Sequence, residues 1–157
     1  MKTLLDTNIL LRSIQPSSPD HATALAAVSV LLNSGRILCI SSQSIYEFLA
    51  VATRSIVDNG LGLKHIAADL ELEKLLAGVE MFCDSTSVVS EARRLVVAHQ
   101  VTGKKIHDGR LVAVMNVQRV SEILTFNHAD FTRYPNIKVL LPKDVAQGKL
   151  PSNTSAP

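Results

Sequence analysis

Three acidic residues stand apart from their neighbours in this chain and could act together on a divalent cation. Asp6 follows the apolar start of the sequence, and Asp108 lies where a helix is expected to begin. Glu47 is the only charged residue within the apolar stretch 45–52. Mg²⁺ and Mn²⁺ prefer carboxylate and water oxygens as ligands. Acids that a fold brings together therefore suggest a metal site and metal-assisted hydrolysis.

Glu47 and Asp108 each have a simpler interpretation as well. Successive helical residues are about 100° apart, so Glu47 points away from the stripe of Ile45, Leu49 and Ala52 and could face water. A helix this apolar is expected to be covered on most sides, however, and a covered carboxylate needs a positive partner or a metal. Asp108 could simply interact with the dipole of its helix.

Five short apolar runs are predicted to be strands, and they could place these acids together. They are Lys2 to Leu5, Ile37 to Ile40, Val79 to Cys83, Ile123 to Phe126 and Ile137 to Leu141. Helical stretches separate the strands, which predicts an α/β fold with right-handed crossovers and a mostly parallel sheet. Ligands collect at the carboxyl ends of such strands. Asp6 follows the first strand directly, with Thr7 and Asn8 expected as turn or cap residues.

The helix signals lie between these strands. Ser18-Pro19-Asp20 predicts a helix start, and that helix is expected to end before Gly35. Ser41 and Ser42 are expected to cap the helix that carries Glu47. Further helices are predicted from about residue 62 to 78, from 87 to 99, and from near Asp108 onward.

Length and composition favour one domain with an aliphatic core. The 157 residues are 46% hydrophobic but only 4% aromatic, so the core must be built mainly from Leu, Val, Ile and Ala. Cys39 and Cys83 lie in apolar runs and are expected to be reduced core thiols. The polar, Pro-bearing segment 147–157 is expected to be a flexible tail without a core role, which leaves residues 1–146 as the domain.

The same sequence excludes several classes of protein and leaves others open. No apolar run reaches the length of a membrane span, so a cytoplasmic location is expected. The net charge of +2 neither requires nor excludes nucleic acid. Basic residues that could contact phosphates do cluster locally, and they are Arg93, Arg94, Lys104, Lys105 and Arg110. The histidines lack zinc spacing, and no phosphate-binding Gly-rich loop is present.

Four segments in order resemble the PIN domain, and specifically its bacterial toxin branch, the VapC ribonucleases. They are Leu4 to Leu10, the helical Glu47, Ile106 to Asp108, and Leu124 to Phe131. The resemblance covers roughly residues 1–142. It implies an α/β/α sandwich with about five strands and a cluster of acids that binds Mg²⁺ or Mn²⁺.

The resemblance also implies a role for particular residues. Asp6, Glu47 and Asp108 match the three best-defined acidic positions and would ligate the metal. The fourth acidic position is usually Asp, and Asn127 occupies it here, which puts a tightly held second metal in doubt. Three further residues match the polar positions that orient the acids, namely Thr7, Asn8 and Thr125.

The function implied is that of an endoribonuclease which hydrolyses RNA phosphodiester bonds with a metal-bound water, as the toxin of a type II toxin–antitoxin pair. The implied partners are RNA, with tRNA among the candidates, a cognate antitoxin and a second copy of the chain. A PIN-like RNA-binding module without catalytic activity is the alternative. A phosphatase of the haloacid dehalogenase class is disfavoured, because it needs Asp where this chain has Asn8.

Overall fold

Strands and helices alternate along the chain in the computed structural model, which describes residues 1–151. The strands are β1 (Lys2–Leu5), β2 (Ile37–Ser41), β3 (Glu80–Phe82), β4 (Glu122–Leu124) and β5 (Lys138–Leu140). The α-helices are α1 (Thr7–Ser13), α2 (His21–Asn33), α3 (Ser42–Thr53), α4 (His65–Leu76), α5 (Thr86–Ala98), α6 (Lys105–Val117), α7 (His128–Phe131) and α8 (Pro142–Ala146). A 3-10 turn, Ile56–Asp58, lies between α3 and α4.

All neighbouring strands in the sheet are parallel, and the order is β3-β2-β1-β4-β5. In the central strand, Leu4 pairs with Cys39 on one side and with Ile123 on the other. The predicted α/β class and the small parallel sheet of about five strands are therefore confirmed. The order places β1, which precedes Asp6, between β2 and β4.

Alternating side chains of the central strands supply two separate cores. Leu4, Cys39 and Ile123 belong to a core shared with α5 and α6. Leu5 and Leu124 belong to a second core shared with α1, α2, α3 and α4. Because strand side chains alternate between the two faces of a sheet, the result is an α/β/α sandwich. Burying a side chain such as Leu4 contributes roughly 1.5–3 kcal/mol.

Two strand-to-helix junctions contain almost no loop and fix the edge where β1 and β2 end. Asp6 alone separates β1 from α1, and α3 begins at Ser42 directly after β2. Ser41 caps α3, as predicted, and its Oγ accepts a hydrogen bond from the Ser44 N–H at 3.2 Å. The short junctions after β1 and β2 thus fix where the side chains of the first turns of α1 and α3 lie.

Several details differ from the sequence predictions. Cys39 is buried, but Cys83 is exposed, because the edge strand β3 already ends at Phe82. Thr7 and Asn8 are the first residues of helix α1 and do not form a separate turn.

The C-terminal segment is more tightly bound to the domain than predicted. Leu150 packs against the second core, and the Pro151 carbonyl accepts a hydrogen bond from Arg36 Nη2 at 3.4 Å. The expectation that residues from 147 onward have no core role is therefore wrong as far as 151. Residues 152–157 of that predicted tail lie outside the described residues.

Within residues 1–151, no helix is long and apolar enough to cross a membrane.

Candidate metal centre

Asp6 is a buried carboxylate at the carboxyl end of β1, with only 8% of its surface exposed. Its Oδ2 accepts hydrogen bonds from Thr125 Oγ1 at 2.6 Å and from Asn8 Nδ2 at 2.7 Å. Asn8 Oδ1 in turn accepts from the Phe126 N–H at 3.2 Å. Thr125 follows β4, so these contacts join the ends of two neighbouring strands around the acid. Asn8 and Thr125 therefore hold the Asp6 carboxylate, and their role in orienting a metal ligand stays a prediction.

Glu47 reaches the same edge from α3, and its side chain is half-buried. Its Oε2 accepts a hydrogen bond from Thr7 Oγ1 at 2.6 Å, and its Oε1 accepts one from Gln43 Nε2 at 2.7 Å. Because Thr7 directly follows Asp6, its hydrogen bond to Glu47 connects α3 to the end of β1. The prediction that Glu47 lies on a covered part of its helix holds, but the donors it contacts here are neutral.

Asp108 lies in the first turn of α6, three residues beyond the start of that helix at Lys105. A glycine at φ +59, Gly103, precedes the helix and allows the chain to turn into it. Asp108 is half-buried. Its carboxylate lies close enough to Asp6 and Glu47 for their charges to change its pKa. The three acids predicted from the sequence are therefore brought to one edge of the sheet.

The pKa values of two of these acids are well above the ordinary aspartate value of 3.8. Burial raises the pKa of Asp6 to about 6, and the negative charges of Glu47 and Asp130 add to this effect. Burial likewise raises the pKa of Asp108 to about 6, assisted by Asp130, Asp6 and Glu47. Hydrogen bonds from Thr125 oppose the shift at Asp6, and His107 opposes it at Asp108. Carboxyl pKa values raised by burial and by neighbouring like charges mark a candidate functional site, and a bound cation would offset these charges.

The fourth acid at this edge is Asp130, which the sequence shows to follow the fourth strand but does not single out as a metal ligand. Asp130 lies in α7, is half-buried, and raises the pKa of both Asp6 and Asp108. Asn127, which occupies the expected fourth position, is exposed and precedes α7 without a capping hydrogen bond from its side chain. Its backbone N–H donates to Thr125 Oγ1 at 2.9 Å. The available signal was position: Asp130 lies in the short helix α7 that follows β4, soon after Thr125, whose side chain contacts Asp6.

Comparison with protein families shows the family to which this chain belongs. A family model described as the PIN domain matches residues 3–137. The chain belongs to the PIN domain family. A search of curated proteins found no match.

Solved structures with the same fold as this PIN domain include several toxin–antitoxin complexes. VapBC2 from Rickettsia felis, bound to a DNA fragment from its promoter, has a TM-score of 0.68 and 19% identity and covers 90% of this chain and 98% of that chain. DNA-bound VapBC from Salmonella typhimurium has a TM-score of 0.66 and 20% identity, with the same coverage. VapC20 from Mycobacterium tuberculosis, a toxin that cleaves the sarcin-ricin loop, has a TM-score of 0.60 and 17% identity and covers 83% and 92% of the two chains. At these identities the likeness establishes the fold.

The donor set of the PIN domain fits a hard divalent cation, although its side chains are not gathered around one point. Four carboxylates and neutral oxygen ligands are the chemistry that Mg²⁺ and Mn²⁺ prefer. In residues 1–151, no three His, Cys, Asp or Glu side chains converge closely enough to hold a metal ion as they lie. Asp6 Oδ2 and both Glu47 oxygens already accept hydrogen bonds from neutral donors, and each carboxylate oxygen has a further lone pair that a cation could bind.

Basic residues near the acids differ in their availability to a phosphate. Arg110 pairs with Asp84, and Arg94 forms two hydrogen bonds of 2.7 Å with Glu91. Lys104 and Lys105 are exposed at the start of α6, within one turn of Asp108. These two lysines therefore match the predicted phosphate-contacting role better than Arg94 or Arg110.

Proposed function

We propose that this PIN domain is a metal-dependent endoribonuclease that acts as the toxin of a type II toxin–antitoxin pair. The observation that carries the proposal is the group of four acids at one edge of the sheet, two of which have a pKa of about 6. Burying like charges together costs stability, so their retention is best explained by a cation that offsets them. The fold shared with VapC toxins supports the same activity.

In this proposal Asp6, Glu47 and Asp108 hold Mg²⁺ or Mn²⁺, and Asp130 contributes the fourth negative charge that Asn127 does not. The ion would lower the pKa of a water and offset charge on the scissile phosphate. Thr125 and Asn8 hold the Asp6 carboxylate, and Thr7 holds Glu47. Lys104 and Lys105 at the start of α6 would contact the RNA backbone, which gives salt-dependent binding with little sequence preference.

Exposed apolar side chains support the proposed protein partners, a cognate antitoxin and a second copy of the chain. Leu25 and Leu32 on α2 are 45% and 53% exposed, and Ile66 and Leu70 on α4 are 77% and 50% exposed. A groove of about 540 Å³ lies between α3 and α4, next to Ile66. An apolar antitoxin helix could bind such a groove. Light scattering at high micromolar concentration is expected to give the mass of a homodimer, and a monomer would contradict that part of the proposal.

A direct test of the reaction uses the purified chain with total tRNA and a sarcin-ricin loop RNA. Cleavage is expected in Mg²⁺ or Mn²⁺ and is expected to stop when the metal is chelated. If wild-type protein binds these RNAs but cleaves neither with any metal, the non-catalytic RNA-binding module replaces the nuclease. If chelation leaves the cleavage rate unchanged, the metal dependence is wrong.

A further inference from the structure

Gln43 is a buried polar residue whose amide contacts two of the helices that carry acids. It lies in the first turn of α3, with 3% of its surface exposed. Its Nε2 donates to Glu47 Oε1 at 2.7 Å and to the backbone carbonyl oxygen of His107 at 3.1 Å. His107 immediately precedes Asp108. One amide nitrogen thus connects the Glu47 carboxylate to the backbone next to Asp108, across 64 residues of sequence.

The contacts around Glu47 indicate what this connection does. Thr7 holds Glu47 Oε2 from α1, while Gln43 holds Oε1 from within α3. With both oxygens bound, the carboxylate has little freedom to rotate, and its position follows that of its donors. Since Gln43 also binds the first turn of α6, a change at Gln43 would alter the position of Glu47 relative to Asp108.

Packing alone does not explain an amide at this position. Gln43 Oε1 is buried and has no hydrogen-bond partner within residues 1–151. An unpaired buried acceptor is destabilising, and an apolar side chain of similar volume, such as Met, would avoid it. The amide is therefore better explained by the two hydrogen bonds that its nitrogen donates.

We propose that Gln43 is a positioning residue that sets the separation of Glu47 and Asp108 for metal binding. This inference rests on the proposed function, because it assumes that the two acids ligate a cation. Groups that orient metal ligands typically change metal affinity by about 10–100-fold when they are removed. Gln43 is too deeply buried to suggest a direct role in binding RNA.

The test measures the Kd of Mn²⁺ by titration calorimetry on chelator-treated protein, together with the melting temperature of the metal-free protein. Gln43→Met keeps the volume but removes both hydrogen bonds, and Gln43→Asn keeps the amide but shortens its reach by one methylene. Both variants are expected to bind Mn²⁺ about 10–100-fold more weakly than wild type. The matched control is Ser44→Ala, a buried polar change in the same turn at a residue whose Oγ contacts Ser41 Oγ, and it should leave the Kd unchanged.

A double-mutant cycle separates positioning from a general structural effect. If Gln43 acts through Glu47, the pair Gln43→Met and Glu47→Gln should bind Mn²⁺ about as weakly as Glu47→Gln alone, whereas independent effects would add. A wild-type Kd in any folded Gln43 variant, additive effects in the cycle, or failure of both variants to fold would each overturn the positioning role. If wild-type protein itself binds no Mn²⁺, the proposed function fails first and this inference fails with it.

Discussion

Two buried acids at opposite ends of the central strands have opposite surroundings. Glu122, the first residue of β4, is 2% exposed and accepts hydrogen bonds from Arg36 Nε at 3.0 Å and Thr3 Oγ1 at 3.1 Å. Asp6, which follows β1, is 8% exposed and accepts bonds from the neutral Asn8 and Thr125. Its charged neighbours, including Glu47, have the same sign as its own.

The difference separates an acid with a structural role from one available for chemistry. A buried carboxylate that already has an arginine partner has no charge left for a ligand, and removal of that partner should mainly affect folding. A buried carboxylate among like charges keeps its charge available and costs stability until a cation binds. The amino ends of the strands are thus closed by an internal ion pair, while under the proposed function an external cation would offset the charges at the carboxyl ends.

The largest effect is expected from breaking the ion pair at the amino ends. Arg36→Met leaves Glu122 buried without its positive partner, and loss of one member of such a pair typically costs about 3–5 kcal/mol. It also removes the hydrogen bond to the Pro151 carbonyl. Urea unfolding monitored by circular dichroism would measure the loss.

Two variants serve as controls for that experiment. Arg36→Met combined with Glu122→Leu removes both charges and should recover much of the stability. Arg94→Met breaks an exposed ion pair with Glu91, which water screens, and should destabilise the fold far less than Arg36→Met. If Arg36→Met destabilises no more than Arg94→Met, the internal pair does not have the structural role assigned to it.

A substitution among the acids at the carboxyl ends of the strands should reduce RNA cleavage without destabilising the fold. Asp108→Asn keeps the size of the side chain but removes one charge from the proposed metal ligands, so RNA cleavage and growth toxicity should fall by more than about 100-fold. The metal-free protein should fold as well as wild type or slightly better, because one like charge is removed. Asp144→Asn, at an exposed residue paired with Lys149, is the matched control for cleavage and should have no effect. Wild-type cleavage by Asp108→Asn would exclude Asp108 as a ligand.

The sequence predicted the carboxyl edge better than the amino edge, for a physical reason. Asp6 and Asn8 follow the apolar run of β1, and ligands collect at the carboxyl ends of parallel strands. Glu47 was noticeable as the only charged residue within an apolar helical stretch. Nothing local in the sequence indicates that Arg36 and Glu122 meet, because their contact depends on strand order across 86 residues. The order β2-β1-β4 follows from tertiary packing that periodicity does not contain.

The remaining differences at the site also depend on tertiary structure. Asp130 was visible as an acid after a strand, but its proximity to Asp6 and Asp108 depends on how α7 packs beside α6. Gln43 resembled an ordinary helix residue, since its contact with the His107 carbonyl requires the position of a helix that lies 64 residues away. The limits of β1 and the cap at Ser41 were predictable, because they depend on adjacent residues, whereas β3, β4 and β5 are shorter than the apolar runs that predicted them.

The raised pKa of Asp6 predicts how the stability of the fold depends on pH, and a bound metal should reverse the direction of that dependence. Unfolded aspartate titrates near 3.8 and folded Asp6 near 6, so between these values the folded state binds more protons. The free energy of unfolding of the metal-free protein should therefore fall as the pH rises from about 4 to about 6. The loss is at most about 3 kcal/mol for a difference of two pKa units, and it persists above pH 6. Mn²⁺ binds the ionised acids, so with Mn²⁺ present stability should rise over the same range. Melting curves across this range with Mn²⁺ or a chelator test both signs, and parallel curves would contradict a metal site at Asp6.

The smallest effect is expected from the fourth acid. Asp130→Asn removes a charge that raises the pKa of Asp6 and Asp108, so both pKa values should fall toward the ordinary range. The metal-free protein should gain less than about 1 kcal/mol at neutral pH, the range of solvent-accessible charge pairs. The converse change, Asn127→Asp, places a charge on an exposed side chain and should move these pKa values less. Carboxyl ¹³C chemical shifts measured against pH would report both aspartates directly. If Asn127→Asp shifts them more than Asp130→Asn does, then residue 127 faces the acids and Asp130 does not complete the site.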